Sequence, residues 1–311
     1  MVSFVDALSE VLAAGQVGRP VAARTIGRAP WGLRQMVPGA ALFHVIMRGT
    51  AWLTVDGGTP LRLDPGDVVL LPHGTSHTLG DDPATPPVEL GSLAERHQPG
   101  EAFAVVEFGG EGAQTNMLCG AYLLTRAAPQ HPMLSALPTV LHLPASRGVD
   151  TQLRALVDLL ATEVERPGPG SATIATSLVD ALFAYLLRTW CAAHPDACPP
   201  WLSALADPVL GRALVAVHAE PAAPWSVGQL ASVAGLSRAA FSRRFTAQVG
   251  LPPLTYLTQW RMVRAQQLLR SGTAPLESVA RDIGYESAFA FSKAFKRHTG
   301  VSPARYREAV R

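Results

Sequence analysis

Two short segments near the end of this 311-residue chain carry the side chains best suited to binding a polyanion. Guanidinium, ammonium and hydroxyl groups are the donors with which proteins contact the phosphates and base edges of DNA. The candidate contact residues of the first segment are Ser237, Arg238, Ala239, Ser242, Arg243 and Arg244. Those of the second segment are Ser287, Ala288, Phe289, Ser292, Lys293, Lys296 and Arg297. Such contacts require each segment to be a rigid helix with one face free.

The two segments are copies of one repeat. Ala231 and Gly235 recur 49 residues later as Ala280 and Gly284. After one additional turn residue, four residues recur with a spacing of 50. These are Ser237, Phe241, Ser242 and Phe245, repeated as Ser287, Phe291, Ser292 and Phe295. The sequence therefore predicts one supersecondary unit used twice.

Each copy has the pattern of a helix-turn-helix unit. A small alanine in the first helix lets the second helix pack closely across it. The glycine suits a helix end that requires a positive φ, and the serine hydroxyl can cap the next helix. The two phenylalanines, four residues apart, bury one face of that helix. The opposite face is then free to enter a major groove.

The segment between the copies, Pro252–Arg270, is predicted to be a single helix. Its inward-facing residues are expected to be Leu254, Leu257, Met262, Ala265, Leu268 and Leu269. At ~1.5 Å per residue this helix spans roughly 28 Å. One turn of B-DNA measures about 34 Å, so the two recognition helices are predicted to lie in successive major grooves.

The distribution of charge supports a polyanion-binding module. Residues 207–311 contain 14 Arg or Lys and 6 Asp or Glu, a net charge of +8, whereas the whole chain has a net charge of only +2. Residues 1–206 hold the remaining 12 basic and 18 acidic residues, a net charge of −6. A basic module joined to an acidic one indicates two different tasks.

The basic third, about residues 207–311, resembles the DNA-binding domain of the AraC/XylS family of transcription regulators. The resemblance is carried by Gly284-Tyr285-Glu286-Ser287, by Phe291 through Arg297, by Gly300-Val301-Ser302-Pro303 and by Tyr306-Arg307. It implies two helix-turn-helix units joined by a long helix, with a double-stranded DNA operator as the partner.

Ala239 and Ala288 depart from the family pattern, because many members carry a larger side chain there for base recognition. Base contacts are therefore expected to fall more on Ser242, Arg243, Phe289 and Lys293. We expect phosphate contacts or solvated charge at Arg244, Lys296 and Arg297. Phe289 is predicted to point away from the core, where it could touch a thymine methyl group, with an interior position as the alternative.

From Trp31 to about Leu143 the chain consists of short apolar runs separated by Gly, Pro and Asp, which predicts β-strands and turns. Gly66 through His77 fits the second cupin motif. Phe43 through Gly49 resembles the first motif, although Ile46 stands where a second His is usual and the usual Glu is missing. The whole chain thus resembles regulators in which a cupin-type sensor precedes an AraC-type domain.

The cupin resemblance places His44 and His77 at positions typical of metal ligands, and His73 could add a third nitrogen. With a thiolate from Cys119, His44 and His77 would suit a divalent metal such as Zn²⁺. The alternatives are histidines that hydrogen-bond within the barrel, a Cys119 that is a small buried residue, or a redox-sensing Cys119 thiol. Cys191 and Cys198 could pair or be bystanders. No cofactor is assigned with certainty.

Two apolar helices are predicted over Thr151–Arg166 and Ser171–Ala193. They either form a dimer interface or cap the barrel. The stripe on the second comprises Ile174, Leu178, Leu182, Phe183 and Leu186. The expected domains are residues 1–147, a cupin-like sensor; 148–200, a helical dimerisation segment and linker; and 201–311, the DNA-binding domain. The predicted fold class is α+β, with an N-terminal β-barrel of the double-stranded β-helix type and an all-α domain of two helix-turn-helix units.

These patterns predict a homodimeric, cytoplasmic transcription regulator that responds to a small-molecule or redox effector. RNA polymerase would be a further partner if the protein is an activator, and no membrane partner is expected because no apolar run reaches ~18 residues. The rivals are a cupin enzyme, which the missing His and Glu argue against, and an effector-independent architectural DNA binder, which would not need a barrel. The protein is predicted not to be an enzyme.

Overall fold

The computed structural model describes Leu8, Leu12 and residues 21–89, 103–123, 137–145 and 151–309. The chain divides into two compact units, which are considered separately. Residues 17–124 and 137–195 form the first, here named the sheet unit. Residues 196–311, with 1–16 and 125–136, form the second, here named the helical unit.

The sheet unit contains two mixed sheets. The strands are β1 Val21–Arg28, β2 Gly32–Gln35, β3 Ala40–Arg48, β4 Ala51–Val55, β5 Leu61–Leu63, β6 Val68–Leu71, β7 His77–Gly80, β8 Val88–Glu89, β9 Phe103–Gly109, β10 Gln114–Leu123 and β11 Leu141–Leu143. One sheet has the order β11-β6-β3-β10-β1-β9, and the other has the order β5-β4-β7-β2-β8. β1 pairs with β9 and β2 pairs with β8 in parallel; the other pairs are antiparallel.

The predicted strands are confirmed, but the predicted closed barrel is not. The strands that the structure describes form two sheets with no closed barrel, so the double-stranded β-helix stays a prediction. The core between the sheets contains Trp31, Ile46, Leu53, Leu79 and Met117, all almost fully buried. The segment after β7 contains the short strand β8, and residues 90–102 lie outside the described ranges.

Two helices complete the sheet unit, α1 Thr151–Glu165 and α2 Ser171–Ala193. On α1 the residues Leu153, Val157, Leu160 and Val164 are buried, and their spacing places them on one apolar face of the helix. Phe183 of α2 stacks on Tyr122 of β10, with the ring centroids 4.9 Å apart. The helices therefore pack against the six-stranded sheet.

The predicted stripe of α2 is wrong at Ile174, which is 43 % exposed; Ala175 and Val179 are buried instead. This helix is also long and apolar enough to cross a membrane by length and composition. Because Leu182, Phe183 and Leu186 are buried in the sheet unit, this is weak evidence for a membrane span.

The helical unit contains eight helices in the part of the chain that the structure describes. They are α3 Pro200–Ala206, α4 Leu210–Ala219, α5 Val227–Ala234, α6 Arg238–Val249, α7 Pro253–Ser271, α8 Leu276–Asp282, α9 Ala288–Thr299 and α10 Pro303–Ala309.

Helix α7 is the predicted connecting helix, and it contributes to the cores of both repeats. Near its start, Tyr256 packs edge-on against Phe245 of α6 at 5.8 Å between ring centroids. Towards its end, Met262 and Ala265 pack in one cluster with Phe291 and Phe295 of α9. The prediction that Leu254 faces inward is wrong, since it is 41 % exposed. The aromatic residues Tyr256 and Trp260 are buried instead, because α3, α4 and α6 cover that end of the helix.

Candidate nucleic-acid interface and buried histidine cluster

The two repeats share the same turn geometry. In the first repeat Gly235 has a φ of 72°, and the next residue, Leu236, donates its backbone N–H to the Ala231 carbonyl at 2.9 Å. In the second repeat Gly284 has a φ of 79°, and Tyr285 donates to the Ala280 carbonyl at 2.8 Å. Each glycine also donates to the carbonyl three residues before it. Both turns are therefore Schellman motifs, which explains why a glycine recurs at this position.

The recognition helices α6 and α9 begin in the same way. The Ser237 hydroxyl accepts the N–H of Ala240 at 3.3 Å, and the Ser287 hydroxyl accepts the N–H of Ala290 at 3.1 Å. Both serines are thus helix N-caps, as predicted. This role orients the first turn of each helix, where Arg238 and Phe289 lie.

The buried faces of the two recognition helices also match. Phe241 and Phe245 are fully buried with ring centroids 5.4 Å apart, and Phe291 and Phe295 are fully buried at 5.5 Å. Because residues four apart lie on the same side of a helix, each pair anchors one face and leaves the other exposed. The predicted cores of both repeats are confirmed.

The exposed faces differ in chemistry. On α6, Arg238, Ala239 and Arg243 are exposed and Ser242 is half-buried. On α9, Lys293, Lys296 and Arg297 are exposed, whereas Ala288 and Ser292 are half-buried. Phe289 is 81 % exposed, which rules out the interior position considered for it. One face offers guanidinium groups, and the other offers an aromatic ring beside a lysine.

Arg244 lies apart from the other candidate contact residues, because it forms an ion pair within the helical unit. Its guanidinium donates to the Asp207 carboxylate at 2.5 Å. Although desolvation raises the pKa of Asp207, its hydrogen bonds with the N–H groups of Leu210 and Val209 and with Arg244 hold this pKa below its ordinary value. Arg244 thus ties α6 to the start of α4. No local pattern predicts this pairing, since the partners are 37 residues apart in the chain.

The sheet unit buries a chain of three side chains, His44, His77 and Cys119. Nδ1 of His44 lies 3.0 Å from Sγ of Cys119, and Nε2 of His44 lies 3.0 Å from Nε2 of His77. Nδ1 of His77 lies 2.8 Å from the Thr75 carbonyl oxygen, which only accepts. With both imidazoles neutral, His77 donates from Nδ1 and accepts at Nε2 a hydrogen bond from Nε2–H of His44, and Nδ1 of His44 accepts a hydrogen bond from the Cys119 thiol.

Burial favours the neutral form of all three groups. Desolvation and the nearby His77 hold the pKa of His44 well below 6.5. Desolvation also lowers the pKa of His77, opposed by its hydrogen bond to Thr75 and by the charge of Asp56. For Cys119, desolvation raises the pKa to about 12 against a hydrogen bond from Thr25. The thiol is therefore protonated at neutral pH and a weak nucleophile.

The predicted zinc set does not fit this geometry. His44 directs its two ring nitrogens at different partners, so His44, His77 and Cys119 do not converge on one point. Within the described ranges no group of three His, Cys, Asp or Glu residues is placed to hold a metal ion. His73, the fourth candidate, is hydrogen-bonded to the Leu137 carbonyl at 2.9 Å and does not join the cluster. The alternative of histidines hydrogen-bonded inside the unit describes the structure better.

The other two cysteines are engaged. Cys191 and Cys198 are disulfide-bonded, so Cys119 is the free thiol among the described residues. The sequence left pairing and bystander roles open for Cys191 and Cys198, and the structure favours pairing.

Comparison with known families separates the chain into the same two kinds of region. Residues 6–192 match a family described as "Cupin", and residues 230–309 match one described as "Helix-turn-helix domain". The cupin match covers more than half of the chain and includes α1 and all but the last residue of α2.

Relatives match over nearly the full length. The chain is 36 % identical over 306 residues to a putative AraC-like transcription regulator of Streptomyces lividans, covering 98 % of each chain. It is 32 % identical to the transcriptional regulator AlkR of Acinetobacter baylyi, covering 89 % of this chain and 91 % of the relative. Among solved structures, the DNA-binding domain of AdpA in complex with a target DNA is 35 % identical, covering 33 % of this chain and 92 % of that one, with a TM-score of 0.31.

Proposed function

The chain belongs to the AraC-like transcription regulators that carry an N-terminal cupin domain, and we propose that α6 and α9 read successive major grooves of one operator. As a member of this family the protein is a DNA-binding transcription regulator. The observation that carries the proposal is the repeated frame, in which each recognition helix has the same Schellman turn, serine cap and buried phenylalanine pair. Helix α7 joins the two frames and spans roughly 28 Å, close to one turn of B-DNA.

The exposed side chains support a division of roles among the candidate residues. Arg243 and Ser242 on α6, with Phe289 and Lys293 on α9, contact base edges. Lys296 and Arg297 lie in the last turn of α9, where they bind phosphates. The remaining candidates position these groups: Ser237 and Ser287 cap the helices, Ala239 and Ala288 allow close approach, Arg238 flanks the groove, and Arg244 holds α6 against Asp207.

The first experiment measures binding to a selected operator and to random DNA at one salt concentration. Arg243→Ala weakens specific binding by about tenfold or more, the range of 1–3 kcal/mol typical of a base contact, and leaves random DNA within about twofold. Arg28→Ala is the control, because Arg28 is an exposed arginine of β1 in the sheet unit and lies outside the two helices assigned to chain pairing. Equal losses on both DNAs would make Arg243 a phosphate contact and would contradict its assigned role.

The sheet unit senses a small-molecule signal in the cytoplasm and pairs two chains through α1 and α2. Support for pairing comes from Leu159 on α1 and Ile174 on α2, which are 56 % and 43 % exposed although both are large and apolar. Light scattering should find a dimer, and Leu159→Glu combined with Ile174→Glu should give a monomer. A wild-type monomer at about 100 µM, far above a typical dimer Kd, would contradict the pairing. RNA polymerase is a partner if the protein activates transcription.

A regulatory role is proposed over a catalytic one. The relatives that match over most of this chain are named as transcription regulators. The departures from the first cupin motif, Ile46 in place of His and the missing Glu, remove two groups on which cupin metal chemistry depends. An effector-dependent change in operator affinity would separate this role from that of an architectural DNA binder.

A further inference from the structure

A cavity of about 350 Å³ lies between α1 and the outer face of the six-stranded sheet. This volume is in the range of small-molecule sites. Its lining combines an apolar floor with two charged side chains. The floor consists of Val45, Val68, Leu153 and Val157, and the charged residues are Arg154 and Asp158 of α1.

The cavity lies outside the core of the sheet unit. Between the two sheets, Trp31, Leu53 and Met117 fill the space, and His44 and His77 bond to one another. A ligand of several heavy atoms would have to displace these groups to enter the core. The cavity beside α1 requires no such change.

Arg154 and Asp158 are both exposed and stand one helical turn apart, a spacing at which opposite charges can pair. No ion pair joins them, and neither has an ion-pair partner in the described part of the chain. Further along α1, by contrast, a charged residue is paired and the neighbouring pocket is small. Glu165 pairs with Arg24 of β1 at 3.0 Å, and these two residues border a pocket of only about 40 Å³. The larger cavity thus coincides with the pair of charges that remains open.

We propose that this cavity binds an α-amino acid with an apolar side chain. The two open charges, about 5–6 Å apart at their Cβ atoms, complement the carboxylate and ammonium groups of a zwitterion. Arg154 binds the carboxylate, Asp158 binds the ammonium group, and the valine and leucine floor takes the side chain. This inference rests on the sensing role proposed above, for which it names a ligand class and a site.

The test is calorimetric titration of the full chain with L-phenylalanine. Two matched probes lack one charge each: 3-phenylpropanoate has no ammonium group, and 2-phenylethylamine has no carboxylate. L-phenylalanine should bind with one site per chain, and both matched probes should bind at least about tenfold more weakly, as expected for loss of one charged hydrogen-bonding partner.

Variants connect the binding to the cavity. Arg154→Gln and Asp158→Asn should each weaken L-phenylalanine binding at least about tenfold. Met47→Trp, at a partly exposed lining position, should abolish binding by filling the cavity without loss of thermal stability. Arg188→Gln and Glu111→Gln, exposed charges outside the cavity, are the matched controls and should leave the affinity unchanged.

Equal binding of 3-phenylpropanoate, or unchanged affinity in Asp158→Asn, would overturn the proposal. If no saturable binding is found up to about 10 mM L-phenylalanine, the Kd is weaker than the millimolar range, and this result would overturn the proposal as well. Operator binding by the same preparation, measured without amino acid, keeps this failure separate from a failure of the proposed DNA-binding mode.

Discussion

The two helix-turn-helix units have the same internal frame but present different chemistry to a partner. Both place a fully buried phenylalanine pair under the recognition helix and end the preceding helix in a Schellman turn. On the outer face, α6 shows Arg243, whereas α9 shows Phe289 and Lys293. The repeat therefore keeps the residues that fold each unit, while the residues that face outward differ between the two copies. The units share one structural frame and differ in the side chains that they expose.

The largest expected effect tests the shared frame. Phe245→Ala and Phe295→Ala should each lower the free energy of unfolding of the helical unit by about 3–5 kcal/mol, since each opens a cavity in a fully buried core. Urea denaturation of the full chain measures this loss. Phe289→Ala, which removes an exposed ring of the same type, should cost less than about 0.5 kcal/mol. A cost below about 1 kcal/mol for either core substitution would show that the two frames are not equivalent.

The next effect should distinguish the two turns. A Cβ at Gly284 would lie 2.6 Å from the Ala222 carbonyl oxygen, whereas at Gly235 the nearest neighbour is the Arg212 guanidinium at 3.5 Å. Both glycines have positive φ, so Gly235→Ala should cost about 1–2 kcal/mol from backbone strain alone. Gly284→Ala should cost more, because the backbone at Ala222 must also move. If urea denaturation shows equal losses of unfolding free energy for the two variants, the close contact with Ala222 at Gly284 has no energetic consequence.

The smallest effect concerns α5 and α8, the first helix of each helix-turn-helix unit. Ser226 caps α5 and forms a capping box with Gln229, whereas α8 begins after Pro275 without a side-chain cap. Ser226→Ala should therefore lower the free energy of unfolding by about 1 kcal/mol. Ser226→Asp should retain most of this stability, because aspartate also caps helices. Ser232→Ala, at an exposed position of the same helix, is the control. If Ser226→Ala behaves like Ser232→Ala, the capping box does not stabilise the first unit.

Features that depend on neighbours in sequence could be predicted from sequence. Gly235, Ser237 and Phe241 each follow from a local rule on helix ends, caps or helical spacing, and the structure places all three as expected. The proximity of His44 and His77 followed from the resemblance to the cupin motifs. These predictions succeed because a few residues determine the conformation.

Features that depend on distant partners could not be predicted. Arg244 pairs with Asp207, and His73 bonds to the carbonyl of Leu137, 64 residues away. The arrangement of the proposed zinc residues could not be predicted for a related reason. His44 lies on β3 between β10 and β6 and directs its two ring nitrogens at Cys119 and His77, and no local pattern in the sequence encodes these directions. Ile174 has a helical spacing that suits a buried stripe, but the face of α2 that packs against the sheet unit carries Ala175 and Val179 instead.

If α6 and α9 of one chain each read one of two adjacent sites, substitutions on the two helices should affect different parts of the operator, and operator selection with variants measures this. The wild-type protein should select two blocks of preferred bases about one helical turn, roughly 10 base pairs, apart. Arg243→Ala should relax preference in one block only, and Lys293→Ala combined with Phe289→Ala should relax preference in the other. A single block, or loss of preference in the same block with both sets of substitutions, would contradict the account.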